Sequence, residues 1–281
     1  MVNLEQANEL LAEFNAIANT KKHQPFDKND PLKVGVDLGT SSIVLAILDQ
    51  DNKPVYGSFE FAEVIRDGLV VNYVEAVQIV SRLVREAEEI LGVEIESAAT
   101  AIPPGTVGND KKIVSNVLES AGLMVTTVVD EPEAAACLLG LTQGAVIDVG
   151  GGTTGISVIE NDEVVLTLDE PTGGTHMSLV LAGYYGISVA EAELLKRDHD
   201  QEKTNFIIIK PVVDKMAAIT ERMLEQHPIE PLYVVGGASF FEEFAPTFSK
   251  YLGMVVERPD YPQFVTPLGI AKASGDSKYA E

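Results

Sequence analysis

The sequence predicts an α/β protein of two similar lobes, and three observations carry that prediction. Strand-like apolar runs alternate with stretches of helical period from residue 32 onward. The segment Val34-Gly-Val-Asp-Leu-Gly-Thr-Ser-Ser-Ile-Val-Leu-Ala-Ile returns in kind as Val146-Ile-Asp-Val-Gly-Gly-Gly-Thr-Thr-Gly-Ile-Ser-Val-Ile. Each copy reads as a strand ending in Asp, a Gly/Thr turn and a second strand, so like hairpins would face each other across a cleft. The third observation is size. A chain of 281 residues suits one large domain or two lobes, and 46% apolar against 22% charged residues supplies the core such a fold buries.

The elements follow in order. Residues 1–18 read as a helix, because Leu4, Ala7, Leu10, Leu11, Phe14, Ile17 and Ala18 form one apolar stripe at spacings of three and four. Residues 20–31 are polar, carry Pro25 and Pro31 and show no period, which marks a linker. Residues 34–37 and 43–48 form a hairpin around Gly39-Thr40-Ser41-Ser42, and a third strand lies near 54–61. Residues 73–91 have helical period; 97–102 is a strand ending in Pro103-Pro104-Gly105; 111–121 is helical; 124–129 is a strand; 132–141 is a helix with Pro132 in its first turn. The second half opens with strands 145–149, 156–159 and 164–168. Helices near 175–185, 188–197 and 207–226 follow, then a buried strand at 232–235, Gly236-Gly237, and a helix from about 239. The organisation is thus a helix and linker at 1–31, one lobe at 32–143 with a return segment at 264–281, and a second lobe at 144–263.

Composition excludes whole classes of function. There are 43 Asp and Glu against 20 Lys and Arg, a net charge of −23, which excludes nucleic acid as a default partner and disfavours anionic membranes. A single cysteine, Cys137, excludes a disulfide scaffold and a Cys-cluster zinc site, and packing in its Ala-rich helix is its expected role. No apolar run is long enough to span a bilayer and the N-terminus lacks a signal-peptide pattern, so the expected location is cytoplasmic. The histidines 23, 176, 199 and 227 lie far apart and show no ligand spacing. The Glu86, Glu88, Glu89 run reads as a solvated helix face.

Four segments carry chemistry. Glycines let a backbone approach a ligand closely, and turn N–H groups converge on anions. Gly39, Thr40, Ser41 in one hairpin and Gly150, Gly151, Gly152, Thr153, Thr154 in the other supply such turns with hydroxyl donors. Asp37 and Asp148, at the ends of the first strands, place two carboxylates beside the bound anion. Two carboxylates facing a polyphosphate call for Mg²⁺ between them, held through its waters. In Asp130-Glu131-Pro132-Glu133, Glu131 is placed to orient or deprotonate an attacking water. Gly236, Gly237, Ala238 and Ser239 after a buried strand let a flat base or ribose lie against backbone.

In this order, these segments resemble the nucleotide-binding signature of the actin/DnaK/hexokinase ATPase superfamily. Asp37-Leu-Gly-Thr-Ser and Asp148-Val-Gly-Gly-Gly-Thr-Thr resemble its two phosphate motifs. Glu131-Pro-Glu-Ala-Ala-Ala and Thr266-Pro-Leu-Gly-Ile-Ala resemble its connecting segments, and Val235-Gly-Gly-Ala-Ser its adenosine motif. The resemblance implies an actin-like, ribonuclease H-like pair of lobes around ATP or ADP with Mg²⁺. Glu193-Leu-Leu-Lys196-Arg197 resembles the chaperone helix that holds ribose through its Glu and Lys and lays its Arg on adenine. Gly174 would also border the nucleotide.

A narrower resemblance rests on Val64-Ile-Arg-Asp-Gly-Leu-Val, Ser97-Ala-Ala-Thr-Ala-Ile-Pro-Pro-Gly-Thr, Asn116-Val-Leu-Glu-Ser-Ala-Gly-Leu and Thr172-Gly-Gly-Thr-His-Met-Ser-Leu-Val-Leu-Ala-Gly. These resemble the EutJ family of ethanolamine-utilization proteins, chaperone-like and associated with bacterial microcompartments. The resemblance implies an ATPase that protects or refolds ethanolamine ammonia-lyase, or assembles the compartment. Two departures qualify it. No separate peptide-binding domain is expected after the second connecting segment. The chain also has no counterpart of the lysine that DnaK carries near the transferred phosphate, since Lys111 and Lys112 are expected to face solvent. Slow turnover follows, and the alternative is a nucleotide-stabilised scaffold or binding module. The first helix has two open readings: docked on its own lobe, or a targeting peptide that packs on shell proteins.

Overall fold

The computed structural model describes residues 4–275 apart from 67, 68, 107 and 226. Residues 1–3 of the expected first helix, Asp67-Gly68 of the 64–70 motif, Gln226 and the end of the return segment at 276–281 lie outside the described residues. The apolar stripe of the N-terminus folds as α1 (Leu4–Thr20). After the linker come β1 (Lys33–Leu38), β2 (Ser42–Leu48) and β3 (Pro54–Phe61), an antiparallel meander. A small hairpin, β4 (Ile65–Arg66) and β5 (Leu69–Val70), leads into α2 (Tyr73–Leu91). The side chain of Asn72 caps α2 by accepting from Glu75 N–H, and Gly92 in the left-handed region ends it. Then follow β6 (Ser97–Ile102), α3 (Asn109–Ser120), β7 (Met124–Asp130) and α4 (Glu131–Leu139).

The second half repeats the plan with β8 (Gln143–Val149), β9 (Thr154–Glu160), β10 (Glu163–Glu170), α5 (Gly174–Tyr185), α6 (Val189–Lys196), α7 (Glu202–Leu224), β11 (Leu232–Val235), α8 (Phe244–Leu252), β12 (Val256–Glu257) and α9 (Val265–Ala273). The two five-stranded sheets have matching orders, β3-β2-β1-β6-β7 and β10-β9-β8-β11-β12. In each, an antiparallel hairpin pair is extended by parallel strands. The internal repeat of the sequence is therefore a repeat of topology.

Each sheet buries one face under its own helices. Val34, Val36, Ile43 and Leu45 pack in one core with Ile79, Leu83 and Val117 of α2 and α3. Ile147, Ile156 and Val234 pack in another with Met177, Phe206, Met216 and Phe248. The inner faces share a third core with α1, α4 and α9. There α9 is the hub. A side chain on Gly269 would run into the Ala134 carbonyl of α4, and one on Gly35 into the Ala271 backbone, so both crossings require glycine.

The helix expected from about 239 starts later. Gly236, at φ +89°, turns the chain beneath Asp148, residues Gly237–Ser239 make one 3₁₀ turn, and α8 begins at Phe244. The Glu86, Glu88, Glu89 face is not simply solvated. Glu86 pairs with Lys21 at 2.7 Å and Glu88 accepts from Ile95 N–H at 2.9 Å. Helix α1 is docked. Leu11 and Phe14 are fully buried, and the Phe14 ring fills the space that Gly57 of β3 leaves open.

Candidate functional site

Asp37 and Asp148 occupy the penultimate positions of β1 and β8, paired across their hairpins with Val44 and Gly155. The two turns meet. A Cβ on Gly151 would lie 2.6 Å from Ser41 Oγ and 3.0 Å from Thr40 Cβ, so glycine here lets the two turns approach closely without displacing those side chains. The second turn is set by α5, whose Gly174 and Thr175 N–H groups donate to the carbonyls of Gly150 (2.9 Å) and Gly151 (2.8 Å). In a planar trans peptide C=O and N–H point opposite ways. These bonds therefore turn the N–H groups of Gly151 and Gly152 away from α5, and both residues line the cleft, where turn N–H groups suit an anion.

Carboxylates gather beside these turns. Burial, then the charge of Asp148, pushes Asp37 up to about 7. Burial raises Asp148 to about 6, while the hydroxyl of Thr266, donating to Asp148 Oδ2, pulls the other way. Glu131 lies well above the usual carboxylate range, through burial first and then Asp148, Asp37, Asp169 and Asp130. Buried carboxylates that resist ionisation are what a divalent cation neutralises. Among the described residues no three His, Cys, Asp or Glu side chains converge to ligate a metal directly. Two carboxylates lining one cleft, Asp37 and Asp148, are a donor set that fits Mg²⁺ held through its own waters.

Helix α6 lines the cleft beside the second turn, joined to it through Gly174. Lys196, 5% exposed, donates to Gly174 O (3.1 Å), Ser178 Oγ (3.0 Å) and Glu193 Oε2 (2.6 Å), three acceptors for the three protons of an ammonium. Burial works against both charges of this pair. At Glu193 the pairing with Lys196, Ser178 and Arg197 outweighs burial and lowers the pKa, whereas at Lys196 burial prevails and lowers it. Arg197 bonds Glu193 Oε1 through Nε at 2.9 Å, and its guanidinium lies 3.9 Å from the ring centre of Phe61 in the other lobe.

One cleft of about 600 Å³ collects nearly every residue the sequence singled out: Asp37, Gly39, Thr40, Ser41, Glu131, Asp148, Gly150, Gly151, Gly152, Thr153, Gly174, Glu193, Lys196, Arg197, Gly236, Gly237 and Ala238. Thr154 and Ser239 do not join them. Both are buried, and their hydroxyls donate to the carbonyls of Thr172 and Gly236, so they brace the turns. Lys111 also departs from expectation: it is half-buried and its charge acts on Asp130. Cys137 is half-buried in α4. The structure adds Phe61, Thr266, Arg258, and Asn15 and Asn19 of α1 to the lining. The i, i+4 spacing of the two asparagines marked a shared helix face, but nothing local indicated that this face borders a cleft.

The Hsp70 protein family profile matches residues 70–185, and that of the type IV pilus assembly protein PilM matches residues 140–256. The chain is 44% identical over 255 residues to the ethanolamine utilization protein EutJ of Escherichia coli K12, covering 90% of each chain. It superposes on the crystal structure of EutJ from Carboxydothermus hydrogenoformans with a TM-score of 0.91, at 46% identity, covering 96% of this chain and 99% of that one. MreB5 of Spiroplasma citri bound to ADP shares the fold at a TM-score of 0.66 and 15% identity, with 86% and 95% coverage. The fold is that of the actin-like ATPases, whose members bind nucleotide, and no helix among the described residues is long and apolar enough to cross a membrane.

Proposed function

The chain belongs to the EutJ family of ethanolamine utilization proteins, and from that premise we propose that it binds ATP with Mg²⁺ between its lobes, hydrolyses it slowly, and acts as a chaperone-like or assembly protein. The observation that carries the reading is the pair of matching hairpins. Their turns touch at Gly151 and Ser41, and they bring Asp37, Asp148 and Glu131 to one cluster lining the cleft. Backbone N–H groups of the turns and the hydroxyls of Thr40, Ser41 and Thr153 would hold the phosphates. Mg²⁺, when bound, supplies the charge neutralisation that lets Asp37 and Asp148 ionise together. Glu131 then orients water on the far phosphate, since this chemistry rests on positioning and charge stabilisation.

A protein client such as ethanolamine ammonia-lyase would sense the lobe angle, in the cytoplasm or at a microcompartment. A shell-protein contact through α1 would require Leu11 and Phe14 to leave their buried seats first. A second reading, a nucleotide-stabilised scaffold with little turnover, is favoured by one observation. The only lysine lining the described cleft is Lys196, whose protons are committed to Glu193, Ser178 and Gly174.

The test is calorimetric titration with ATP, ADP and Mg²⁺, paired with phosphate release with and without ethanolamine ammonia-lyase. Glu131→Gln should lower turnover by about 10²–10⁴-fold with binding retained, and Asp148→Ala should abolish it. Tight binding without phosphate release selects the scaffold. No heat with any nucleotide overturns both readings.

A further inference from the structure

We propose that helix α1 is a wall of the nucleotide cleft and that Asn15 and Asn19 are its ligand contacts, hydrogen-bonding the nucleoside part of a bound nucleotide. The inference rests on the cleft being the nucleotide site and adds to it a helix that lies outside both lobes in sequence. That helix is fastened to each of them. On the first lobe, Phe14 fills the space over Gly57 of β3, and Lys21, just past the helix, pairs with Glu86 of α2 at 2.7 Å. On the second, Asn8 Oδ1 accepts the Asp260 N–H at 2.9 Å. The next residue, Tyr261, lines the cleft at φ +49°, a left-handed conformation that an aromatic residue keeps only where its surroundings impose it. Phe14 also meets Phe264, another lining residue, edge-on at 5.2 Å.

Seated in this way, α1 brings Asn15 and Asn19, one turn apart, to the cleft. The two carboxamides form a pair. Asn19 Nδ2 donates to Asn15 O at 2.8 Å and to Asn15 Oδ1 at 3.0 Å, which uses both of its protons. Among the described residues Asn15 Nδ2 and Asn19 Oδ1 have no partner, so the pair offers the cleft one donor group and one acceptor. Neither carries a charge, and the same cleft is lined by Val44, Phe59 and Phe264. A few neutral polar groups in a largely apolar lining orient a ligand, and a carboxamide matches the polar edge of a base or a sugar hydroxyl. Phosphates are served instead by the turn N–H groups and the cation. The contact is therefore to the nucleoside, and a bare polyphosphate does not make it.

The experiment is calorimetry of the full chain with Mg²⁺ and either ATP or inorganic tripolyphosphate, on wild type, Asn15→Ala and the double variant Asn15→Ala/Asn19→Ala. The packing of α1 is carried by Leu11, Phe14, Ile17 and Ala18, and alanine favours a helix, so α1 stays seated in both variants. The double variant should weaken ATP about tenfold, Asn15→Ala less, and neither should alter tripolyphosphate binding. ATP affinity within about twofold of wild type in the double variant, or lost in parallel with tripolyphosphate, overturns the proposal while leaving the nucleotide reading standing. A wild type that binds neither ligand removes the nucleotide reading and these contacts with it.

Discussion

Asp37 is more easily ionised in the unfolded chain than in the folded one, because folding buries it beside Asp148 and lifts its pKa from 3.8 to about 7. The direction of the linkage follows. Below about pH 4 the group is neutral in both states and adds nothing. Between about 4 and 7 the native state binds more protons than the unfolded state, so stability falls as pH rises, and above about 7 the loss is complete. Asp37→Asn removes the loss. It should raise the melting temperature of the nucleotide-free protein at pH 8 by several degrees, since about 1 kcal/mol is worth roughly 2–4 °C in a chain of this order of size. The gain should vanish near pH 4, and Mg²⁺-dependent ATP binding should weaken in the same variant. Thermal scans at the two pH values check the first part and calorimetry the second. An equal gain at both pH values would mean that the substitution acts through packing rather than charge.

At the scale of elements, the site depends on two crossings of α9. Gly269 meets the Ala134 carbonyl of α4, the helix that carries Glu131, and Thr266 on the same helix bonds Asp148. Gly269→Ala forces a methyl into backbone that side-chain repacking cannot clear, and should cost about 1–3 kcal/mol or more. Phe14→Ala, which empties the seat over Gly57, should cost about 3–5 kcal/mol. Urea unfolding measures both, and a cost below about 0.5 kcal/mol for either would show that its crossing is adaptable.

The same elements show why some of the fold was legible and some was not. The expected elements at 73–91, 97–102 and 232–235 coincide with α2, β6 and β11, and the strand expected near 54–61 is β3, because period two, period 3.6 or a bounded apolar run declares them. Helix α9 is buried on all sides from Val265 to Ile270, so no polar face gives it a period. Strands β4, β5 and β12 have two residues each, too few for any pattern. In the site, repeated Asp-Gly-Thr chemistry was legible. The pairing of Thr266 with Asp148 and of Phe61 with Arg197 was not, since each joins residues far apart in sequence through tertiary packing alone.

The whole molecule carries a net charge of −23, and its lobes meet at a cleft lined by Asp37, Glu131 and Asp148. General repulsion and the raised pKa values of Asp37, Asp148 and Glu131 act in one direction: both destabilise the nucleotide-free protein as pH rises from 5.5 to 8. A cation with a polyphosphate acts against this at the place where the lobes join. Ligand at a hundred times its dissociation constant stabilises a folded chain by about 2.7 kcal/mol whatever its chemistry. The pH dependence of that gain is what identifies the chemistry. If Mg²⁺ binds by stabilising the ionised pair, ATP with Mg²⁺ at fixed concentration should raise the melting temperature more at pH 8 than at pH 5.5, where it must first displace protons from Asp37 and Asp148. ATP with EDTA should show a much smaller gain at both. Thermal scans of these four conditions decide the matter. A gain of the same size at both pH values would separate the cation from the two aspartates and place the nucleotide's stabilising contacts elsewhere in the cleft.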